Sequence, residues 1–419
     1  MKLVNGLFDF IRKSPEAYHA VDTVAAILQK EGFCELSECE KFNLADGGKY
    51  YIKKNGSSVF AFKYSRDAES FMIAASHADS PSFKIKGDLK SGAYLKLDVE
   101  KYGGMIYYTW LDRPLSLAGR VYLKSDTGIE CRLVNIDRDI ATIPSVAIHM
   151  NRAVNDGYKF NPACDLLPLA SVGDGGIIGL VASELSVKSE DIISHDLFLY
   201  VRDEGKCIGE DYILSPRLDD LACVYSSLVA FLASSSEKTI PVLAIFDNEE
   251  VGSETKQGAA SSFFADTLSE IAGEKFSKML PKSFMISADN AHAVHPNHPE
   301  LTDRANSAIL GGGVVVKYNA NQRYTTDAYS DAVLRSIAAS SGVKVQSYSN
   351  RADILGGSTL GSIASTRLPI PTVDIGLPQL AMHSAVETMG ASDLSDMVEL
   401  LKAFYSARLS QSGNKTEII

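Results

Sequence analysis

Carboxylate and imidazole side chains follow the apolar strands predicted along this chain, at the points where those strands end. Four apolar runs are followed by such residues, ending near Ala75, Phe246, Ile286 and Ile375. The candidate side chains are His77, Asp79, Glu249, Glu250, Asp289 and His383, together with Asp219 in the first turn of a helix that Ser215-Pro216 is predicted to open. Because ligands bind beyond the carboxyl ends of the strands in open α/β sheets, we expect these residues to converge.

The types of these residues indicate a metal centre. Several carboxylates beside two imidazoles would repel one another unless a cation bound between them. Mixed nitrogen and oxygen ligands suit Zn²⁺, with Co²⁺ or Mn²⁺ as substitutes. One catalytic ion usually takes three protein ligands, so the number of candidates indicates two ions, anchored separately by His77 and His383.

The neighbouring glutamates Glu249 and Glu250 are predicted to have different roles. Side chains of adjacent residues point in different directions, so one can bind metal while the other acts as a general base on water. Asp79, two residues after His77, is placed to orient that histidine. Each feature alone also fits a turn, a helix cap or a solvated loop, and only their combination favours a catalytic centre.

Two other patterns in the sequence resemble binding sites. His292, His295 and His298 form a run, but Pro296 and Pro299 break any helix between them, so only His292 is expected to line the site. The glycines at 311–313 and 356–357 lack the lysine of a phosphate loop and the spacing of a dinucleotide loop. They predict close turns, with Gly357 flanking the site.

Strands alternating with helices predict an α/β fold, a mainly parallel mixed sheet sandwiched by helices. A helix is expected after Ser14-Pro15-Glu16, with Ser14 as N-cap, and a tight hairpin at Asn55-Gly56. Between residues 84 and 212 the pattern becomes β-rich, with alternating apolar residues. We therefore expect a discontinuous catalytic domain, residues 1–83 and 213–419, interrupted by an inserted β-rich domain, residues 84–212.

Composition excludes several classes of protein. The chain has 419 residues, with 41 Lys and Arg against 52 Asp and Glu, a formal net charge of −11 that disfavours binding to nucleic acid or an anionic membrane. We read no transmembrane span and no secretory leader. The six cysteines show no zinc or redox spacing, and we expect a cytoplasmic protein with reduced thiols.

The chain resembles the aspartyl aminopeptidase family, the family-18 metallopeptidases with co-catalytic zinc. The resemblance runs from Ser14 to Leu409 and includes five motifs in the family's order. They are Ser76-His77-Ala78-Asp79-Ser80-Pro81, Ser215-Pro216-Arg217-Leu218-Asp219-Asp220, Asp247-Asn248-Glu249-Glu250-Val251-Gly252-Ser253, Ser287-Ala288-Asp289-Asn290-Ala291-His292-Ala293-Val294-His295-Pro296-Asn297 and Met382-His383-Ser384. Family members often carry Asn where this chain has Asp220.

The resemblance implies a role for each of these positions. His77 and His383 would be the terminal ligands of two zinc ions, Asp219 the bridging carboxylate, and Glu250 and Asp289 the remaining ligands. Glu249 would be the general base and Asp79 would orient His77. His149, in the inserted domain, matches a histidine that the family sends into a neighbouring subunit's site, although a metal ligand within its own chain is the alternative. Substrate-pocket positions are matched by Lys317 and Tyr324, and His292, Gly357 and Met382 are further candidates.

The activity implied is a zinc aminopeptidase acting on short peptides. The family includes members that prefer acidic first residues and others that take neutral ones, and a preference for Asp or Glu is the expectation here. The family also implies that the inserted domain forms dimers, which build a tetrahedral dodecamer. The rival interpretations are another two-metal hydrolase, such as a dipeptidase or carboxypeptidase, and a catalytically silent assembly protein with the same fold.

Overall fold

The computed structural model describes all residues from Met1 to Ile419, which form two compact units. The first unit comprises Met1–Asp79, Gly205–Met382 and Glu387–Ile419, and the second comprises Ser80–Glu204 and His383–Val386. The sequence placed the change of domain after residues 83 and 212. The boundaries between the two units lie a few residues earlier in the chain. The strand that begins at Ser82 already belongs to the sheet of the second unit, and the strand that begins at Lys206 belongs to a small sheet of the first unit.

Ten helices and 23 strands make up the structure. The helices are α1 (Lys2–Lys13), α2 (Ala17–Lys30), α3 (Pro162–Asp165), α4 (Gly176–Leu185), α5 (Leu218–Ala233), α6 (Phe263–Ala272), α7 (Phe276–Met279), α8 (Ala328–Ser341), α9 (Leu360–Arg367) and α10 (Ala391–Ser406). The longest contain 16 residues, and none is both long enough and apolar enough to cross a membrane.

The strands are β1 (Cys34–Leu36), β2 (Lys49–Lys54), β3 (Ser58–Lys63), β4 (Ser70–His77), β5 (Ser82–Ser91), β6 (Tyr94–Tyr102), β7 (Leu115–Ser125), β8 (Gly128–Asn135), β9 (Ala141–Thr142), β10 (Leu169–Ala170), β11 (Ile192–Val201), β12 (Lys206–Ile208), β13 (Tyr212–Ser215), β14 (Thr239–Phe246), β15 (Phe284–Ala288), β16 (Ala291–His292), β17 (Val314–Tyr318), β18 (Val345–Ser349), β19 (Thr372–Gly376), β20 (Pro378–Leu380), β21 (Glu387–Gly390), β22 (Leu409–Ser412) and β23 (Lys415–Ile418).

The first unit is built on a nine-stranded mixed sheet in the order β1-β2-β3-β14-β4-β15-β19-β17-β18. Its centre, β14-β4-β15-β19, is parallel, and β4 and β14 are buried along their whole length. One face of the sheet packs against α1, α2, α5, α8 and α10, and the other packs against α6 and α9. The predicted α/β sandwich is confirmed, because apolar residues on both faces of the central strands require a helical layer on each side.

Two local expectations about helix starts were wrong. Helix α2 begins at Ala17, and Glu16 rather than Ser14 is its N-cap, accepting hydrogen bonds from the backbone N–H groups of Tyr18 and His19. The helix after Ser215-Pro216 begins at Leu218, because Ser215 is still paired in β13. The hairpin at Asn55-Gly56 is confirmed, with both residues at positive φ between β2 and β3.

The second unit is a small closed β structure. Strands β11, β5, β6, β10, β9 and β7 pair in that order, and β11 also pairs with β7. Leucine, isoleucine and valine side chains fill its interior, and Ile177 and Val181 of α4 pack onto this core. Strand β8 continues the sheet outward from β7.

Candidate metal centre

The buried end of β4 carries a cluster of four possible metal ligands. His77 is the last residue of β4, and Asp289 follows the adjacent parallel strand β15. Asp219 and Asp220 lie at the start of α5, where both residues have non-helical backbone angles, so they do not belong to a regular first turn as expected. The ligand atoms of His77, Asp219, Asp220 and Asp289 lie within 4.8 Å of one another.

The electrostatics of His77 reflect this crowding of carboxylates. Its Nε2 atom lies 3.5 Å from Asp219 Oδ1 and 3.7 Å from Asp289 Oδ1, and its backbone N–H donates to Asp220 Oδ2 at 3.1 Å. Burial alone would lower the pKa of His77, but Asp219, Asp289 and Asp79 outweigh burial and hold that pKa well above its usual value. Burial raises the pKa of Asp220 well above its usual value. The cluster is therefore an unfavourable concentration of negative charge, relieved in part by a positive imidazole.

A bound divalent cation fits this donor set better than a proton does. Three carboxylates and one imidazole are the oxygen and nitrogen ligands that Zn²⁺ accepts. All four side chains are buried, so bulk water does little to screen their charges. His77, Asp219 and Asp289 thus lie together as expected, and Asp220, where family members often carry Asn, lies with them.

The two glutamates lie on a short turn after β14 that Asp79 holds in place. Glu249–Val251 form a 3₁₀ turn between Asn248 and Gly252, which both have positive φ. One carboxylate, that of Asp79, accepts the backbone N–H groups of both Glu249 (3.2 Å) and Glu250 (3.1 Å). Asp79 also faces His77, with 3.4 Å between Oδ1 and Nδ1. A single buried side chain thereby ties the turn to the histidine.

Glu249 combines partial exposure with an environment that favours its neutral form. Burial, together with the nearby Asp289, Asp79 and Asp219 carboxylates, raises the pKa of Glu249 to about 8, while His77 opposes the rise. A cation bound in the cluster would lower that pKa again. The protonation of this carboxylate is therefore coupled to the binding of a cation in the cluster.

Lys317, predicted to bind substrate, is buried beneath the cluster. Its ammonium donates to the backbone oxygens of Asp289 (2.8 Å) and Asn290 (3.2 Å), and it lies 3.4 Å from Asp289 Oδ2. Burial alone would lower the pKa of Lys317, but the charge of Asp289 raises it beyond the usual value. In the structure Lys317 therefore holds the Asp289 segment, and its contact with an acidic substrate stays a prediction.

Three polar residues that the sequence analysis missed support the ligands from behind. Glu387 accepts the backbone N–H of Asp219 at 2.9 Å, Gln379 lies 3.4 Å from Glu387, and Asn290 donates to Gln379 at 2.7 Å. All three are buried. Only Asn290 lies in a motif, and no pattern around Gln379 or Glu387 marks them, because their partners are distant in the chain.

The remaining substrate candidates lie in different environments: two line a cavity, one is buried and one is half-buried. His292 and Gly357 line a cavity of about 220 Å³ that also contains Tyr348 and Leu355. Tyr324 is buried, with its ring 5.2 Å from the Lys317 ammonium. Met382 is half-buried at the end of its segment of the first unit. Their roles stay predictions.

Two predicted site histidines belong to the second unit. His383 is half-buried, has a positive φ of 66°, and its Nδ1 lies 2.7 Å from the backbone oxygen of Gly104. That contact occupies Nδ1 and leaves Nε2 as the ring nitrogen available to a metal ion, and the ligand role of His383 stays a prediction. His149 is exposed, in an irregular segment near Met150.

Fold and site together define a zinc metallopeptidase. The family model described as "Aminopeptidase I zinc metalloprotease (M18)" matches residues 10–405. The chain belongs to this family and is a zinc-dependent aminopeptidase. The expected family and enzyme class are confirmed.

Curated relatives and solved structures agree with this assignment. A "Probable M18 family aminopeptidase 2" of Clostridium novyi is 44% identical over 97% of this chain and 99% of its own length. A protein of the same description from Ectopseudomonas mendocina is 37% identical, over 97% and 98%. Among solved structures, the "Cryo-EM structure of the Ape4 and Nbr1 complex" has a TM-score of 0.93 at 34% identity, covering 96% of this chain and 85% of that one. The "Structure of S. cerevesiae mApe1 dodecamer" has a TM-score of 0.85 at 25% identity, with 96% of both chains covered.

Proposed function

We propose that this aminopeptidase uses two divalent ions, with Glu249 as its general base, to remove the first residue of short peptides. The observation that carries the proposal is the Asp79 carboxylate, which joins His77 to the backbone of both Glu249 and Glu250. That connection gives the ligand histidine and the two glutamates a fixed relation. His77 and Asp289 would hold one ion, His383 and Glu250 would hold the other, and Asp219 would be available to both.

The chain's own residues have separate tasks in this mechanism. When bound, the zinc ions polarise the scissile carbonyl and lower the pKa of water. The Glu249 carboxylate takes a proton from the attacking water and passes it to the departing amine nitrogen. Asp79 keeps the turn in position, and Lys317 and Glu387 hold the Asp289 and Asp219 segments from below. A preorganised arrangement of this kind needs little rearrangement during the reaction.

We propose that the enzyme prefers peptides whose first residue is Asp or Glu. An acidic side chain needs a cation close to the metals, and His149 with Lys317 is the candidate pair. Because the Lys317 ammonium already contacts Asp289, His149 carries most of this proposal. Because His149 is exposed, its side chain is accessible to the site of a neighbouring subunit.

We also propose that the chain self-associates through the second unit into dimers and a tetrahedral dodecamer. The support is its 25% identity to a protein whose solved structure is a dodecamer. Self-association would place His149 of one copy at the site of another. Co-expression of His149→Ala with Glu249→Gln tests this arrangement: mixed assemblies regain activity if His149 acts in trans, and stay inactive if it acts within its own chain.

The decisive test combines metal analysis with a substrate panel. The purified protein should contain two zinc ions per chain and hydrolyse aminoacyl chromogenic substrates, with Asp and Glu faster than Leu or Lys. Peptides with a blocked carboxyl end should be cleaved, and peptides with a blocked amine should not. One ion per chain would overturn the two-metal mechanism, and cleavage of amine-blocked peptides would indicate a carboxypeptidase. A metal-free, inactive protein would indicate an assembly role.

A further inference from the structure

The second unit has one strand with a free edge. Strand β8 pairs only with β7, and its other side has no strand partner. The β7–β8 ladder runs from Ala118↔Asn135 to Ser125↔Gly128 without a register shift, so the edge is regular. Residues 128–132 are all exposed, and Ile129 is 67% exposed.

Natural proteins usually protect such an edge. Proline, charged side chains, a bulge or a covering loop are the common means, because unpaired N–H and C=O groups recruit another strand. Strand β8 contains no proline and no lysine, and its two charged residues, Glu130 and Arg132, form an ion pair with each other. Helix α4 lies near its far end, where Arg138 pairs with Glu184, and leaves the Gly128–Leu133 edge uncovered. The edge is therefore open to pairing over about six residues.

The sequence of this edge is complementary to itself. Ile129-Glu130-Cys131-Arg132-Leu133 has an apolar residue at each end, a charge at each second position and cysteine at the centre. In an antiparallel pair of two copies centred on Cys131, Ile129 lies opposite Leu133 and Glu130 lies opposite Arg132. Opposite charges across strands stabilise such a pair, and apolar pairs add to it.

Charge also excludes the neighbouring registers. Centring the pair on Glu130 would place two glutamates opposite each other, and centring it on Arg132 would oppose two arginines, which is destabilising. Within one chain, Arg132 Nε already lies 2.8 Å from Glu130 Oε1, so the two side chains share a face of the strand. Two copies would then form an alternating group of four charges on that face.

We infer that β8 is a self-association edge, which pairs antiparallel with β8 of a second copy about a two-fold axis at Cys131. A two-fold axis makes such an interface self-complementary, as the residue pattern requires. This inference rests on the proposed self-association and specifies one contact within it. Five paired positions make a small interface, so the strand pair would add to other contacts.

The test uses Cys131 as a reporter of proximity. In a variant with Cys34, Cys39, Cys164 and Cys207 changed to serine, the remaining thiols are Cys131 and the buried Cys223. A short bismaleimide should then convert the protein to a covalent dimer, and further change of Cys131 to serine should abolish the product. Native mass spectrometry measures association separately.

Charge reversal distinguishes this register from accidental proximity. Arg132→Glu should slow cross-linking at least tenfold, and adding Glu130→Arg to Arg132→Glu should restore it, because the pattern is again complementary. Arg138→Glu, an exposed change of equal charge in the same unit, should leave the rate unchanged. Assemblies that do not cross-link at Cys131, or an unaffected Arg132→Glu, would overturn the strand pairing alone. A monomer at every concentration would overturn both the association and the pairing.

Discussion

The carboxylate of Asp79 links the two halves of the candidate site. Its two oxygens accept the backbone N–H groups of Glu249 and Glu250, and it lies against the ring of His77. His77 ends strand β4, and both glutamates follow strand β14. The relative position of ligand and base therefore depends on one side chain that needs no contact with substrate.

Replacing this carboxylate should loosen metal binding. Asp79→Asn exchanges one acceptor oxygen for an NH₂ group, which cannot accept either backbone N–H. We expect zinc affinity to fall about 10- to 100-fold, measured by competition with a chromogenic chelator. Asp46→Asn is the matched control, since Asp46 accepts the backbone N–H of Arg66 at an exposed position. Equal zinc affinity in the Asp79 variant would contradict the orienting role.

Removing the proposed base should affect catalysis without affecting metal content. Glu249→Gln keeps the shape of the side chain and loses its proton acceptor, so we expect kcat to fall about 10²- to 10⁴-fold. Zinc content, measured by mass spectrometry, should not change. Glu254→Gln, an exposed change on the same loop, should leave kcat unaltered. Near-normal turnover of Glu249→Gln with both metals bound would show that another group is the base.

Among the elements, α5 shows how a helix is adapted at both ends. Its first residues depart from helical geometry at Asp219 and Asp220. At its other end, the Lys63 ammonium of β3 donates to the backbone oxygens of Phe231 (2.6 Å) and Leu232 (3.2 Å) and to that of Ser234. Terminal carbonyls of a helix lack partners within the helix, so this lysine adds a donor to this end of α5, where Ser234 also donates to the Phe231 oxygen.

Loss of this cap should destabilise the fold. Lys63→Met keeps the apolar stem and removes three hydrogen bonds, and we expect the free energy of unfolding in urea to fall by about 1–3 kcal/mol. Lys49→Met removes one exposed hydrogen bond, to the backbone oxygen of Glu31, and should have little effect. Equal stabilities of the two variants would show that Lys63 contributes nothing beyond a surface contact.

Helix α10 carries a buried carboxylate whose protonation couples stability to pH. Asp393 accepts the backbone N–H groups of Gly311 (2.8 Å) and Gly313 (2.9 Å). Burial raises the pKa of Asp393 to about 6, against the effect of these two hydrogen bonds. A carboxyl group whose folded pKa lies above the unfolded value contributes stability at low pH that is lost as pH rises through the folded pKa.

The effect of Asp393→Asn on the free energy of unfolding should differ between pH 4 and pH 7. Asp393→Asn stays neutral, so its stability relative to the native chain should rise over that interval, by an amount on the order of 2 kcal/mol. Urea unfolding at the two pH values measures it, and the difference between chains cancels the titration of groups common to both. A constant difference between the two chains would contradict the raised pKa of Asp393.

For the whole molecule, the metal centre is a point where distant segments meet. His77, Asp219 and Asp289 come from separate parts of the chain, and the two carboxylates would repel one another without a cation. Ligand binding to the folded state stabilises it in proportion to affinity. Metal content should therefore be visible in global stability as well as in activity.

Chelation should destabilise the entire first unit. Removing zinc should lower the thermal midpoint by about 5 °C or more, and adding zinc back should restore it. Scanning fluorimetry with parallel metal analysis measures both quantities. An unchanged midpoint in a protein shown to have lost its metal would contradict a structural contribution from the cluster.

Much of the site could be predicted because its residues follow strands whose apolar character is local. The runs ending at Ala75, Phe246 and Ile286 predicted the parallel centre of the sheet, and the polar residues after them include His77 and Asp289. The helix starts at Ala17 and Leu218 differ from prediction because competing contacts decide them, a glutamate cap in one case and strand pairing of Ser215 in the other. The spacing of residues along the chain does not indicate which of these competing contacts will form.

Periodicity and residue type are properties of neighbouring residues. The sequence alone therefore predicts the helices and strands and the chemical groups that lie at their ends. Tertiary structure alone decided that Asp220 faces the cluster, that Lys317 supports Asp289, and that Glu387 supports Asp219 from 168 residues away. The physical reason is that a buried polar group takes its role from whichever partner satisfies it. That partner is chosen by the packing of the whole chain.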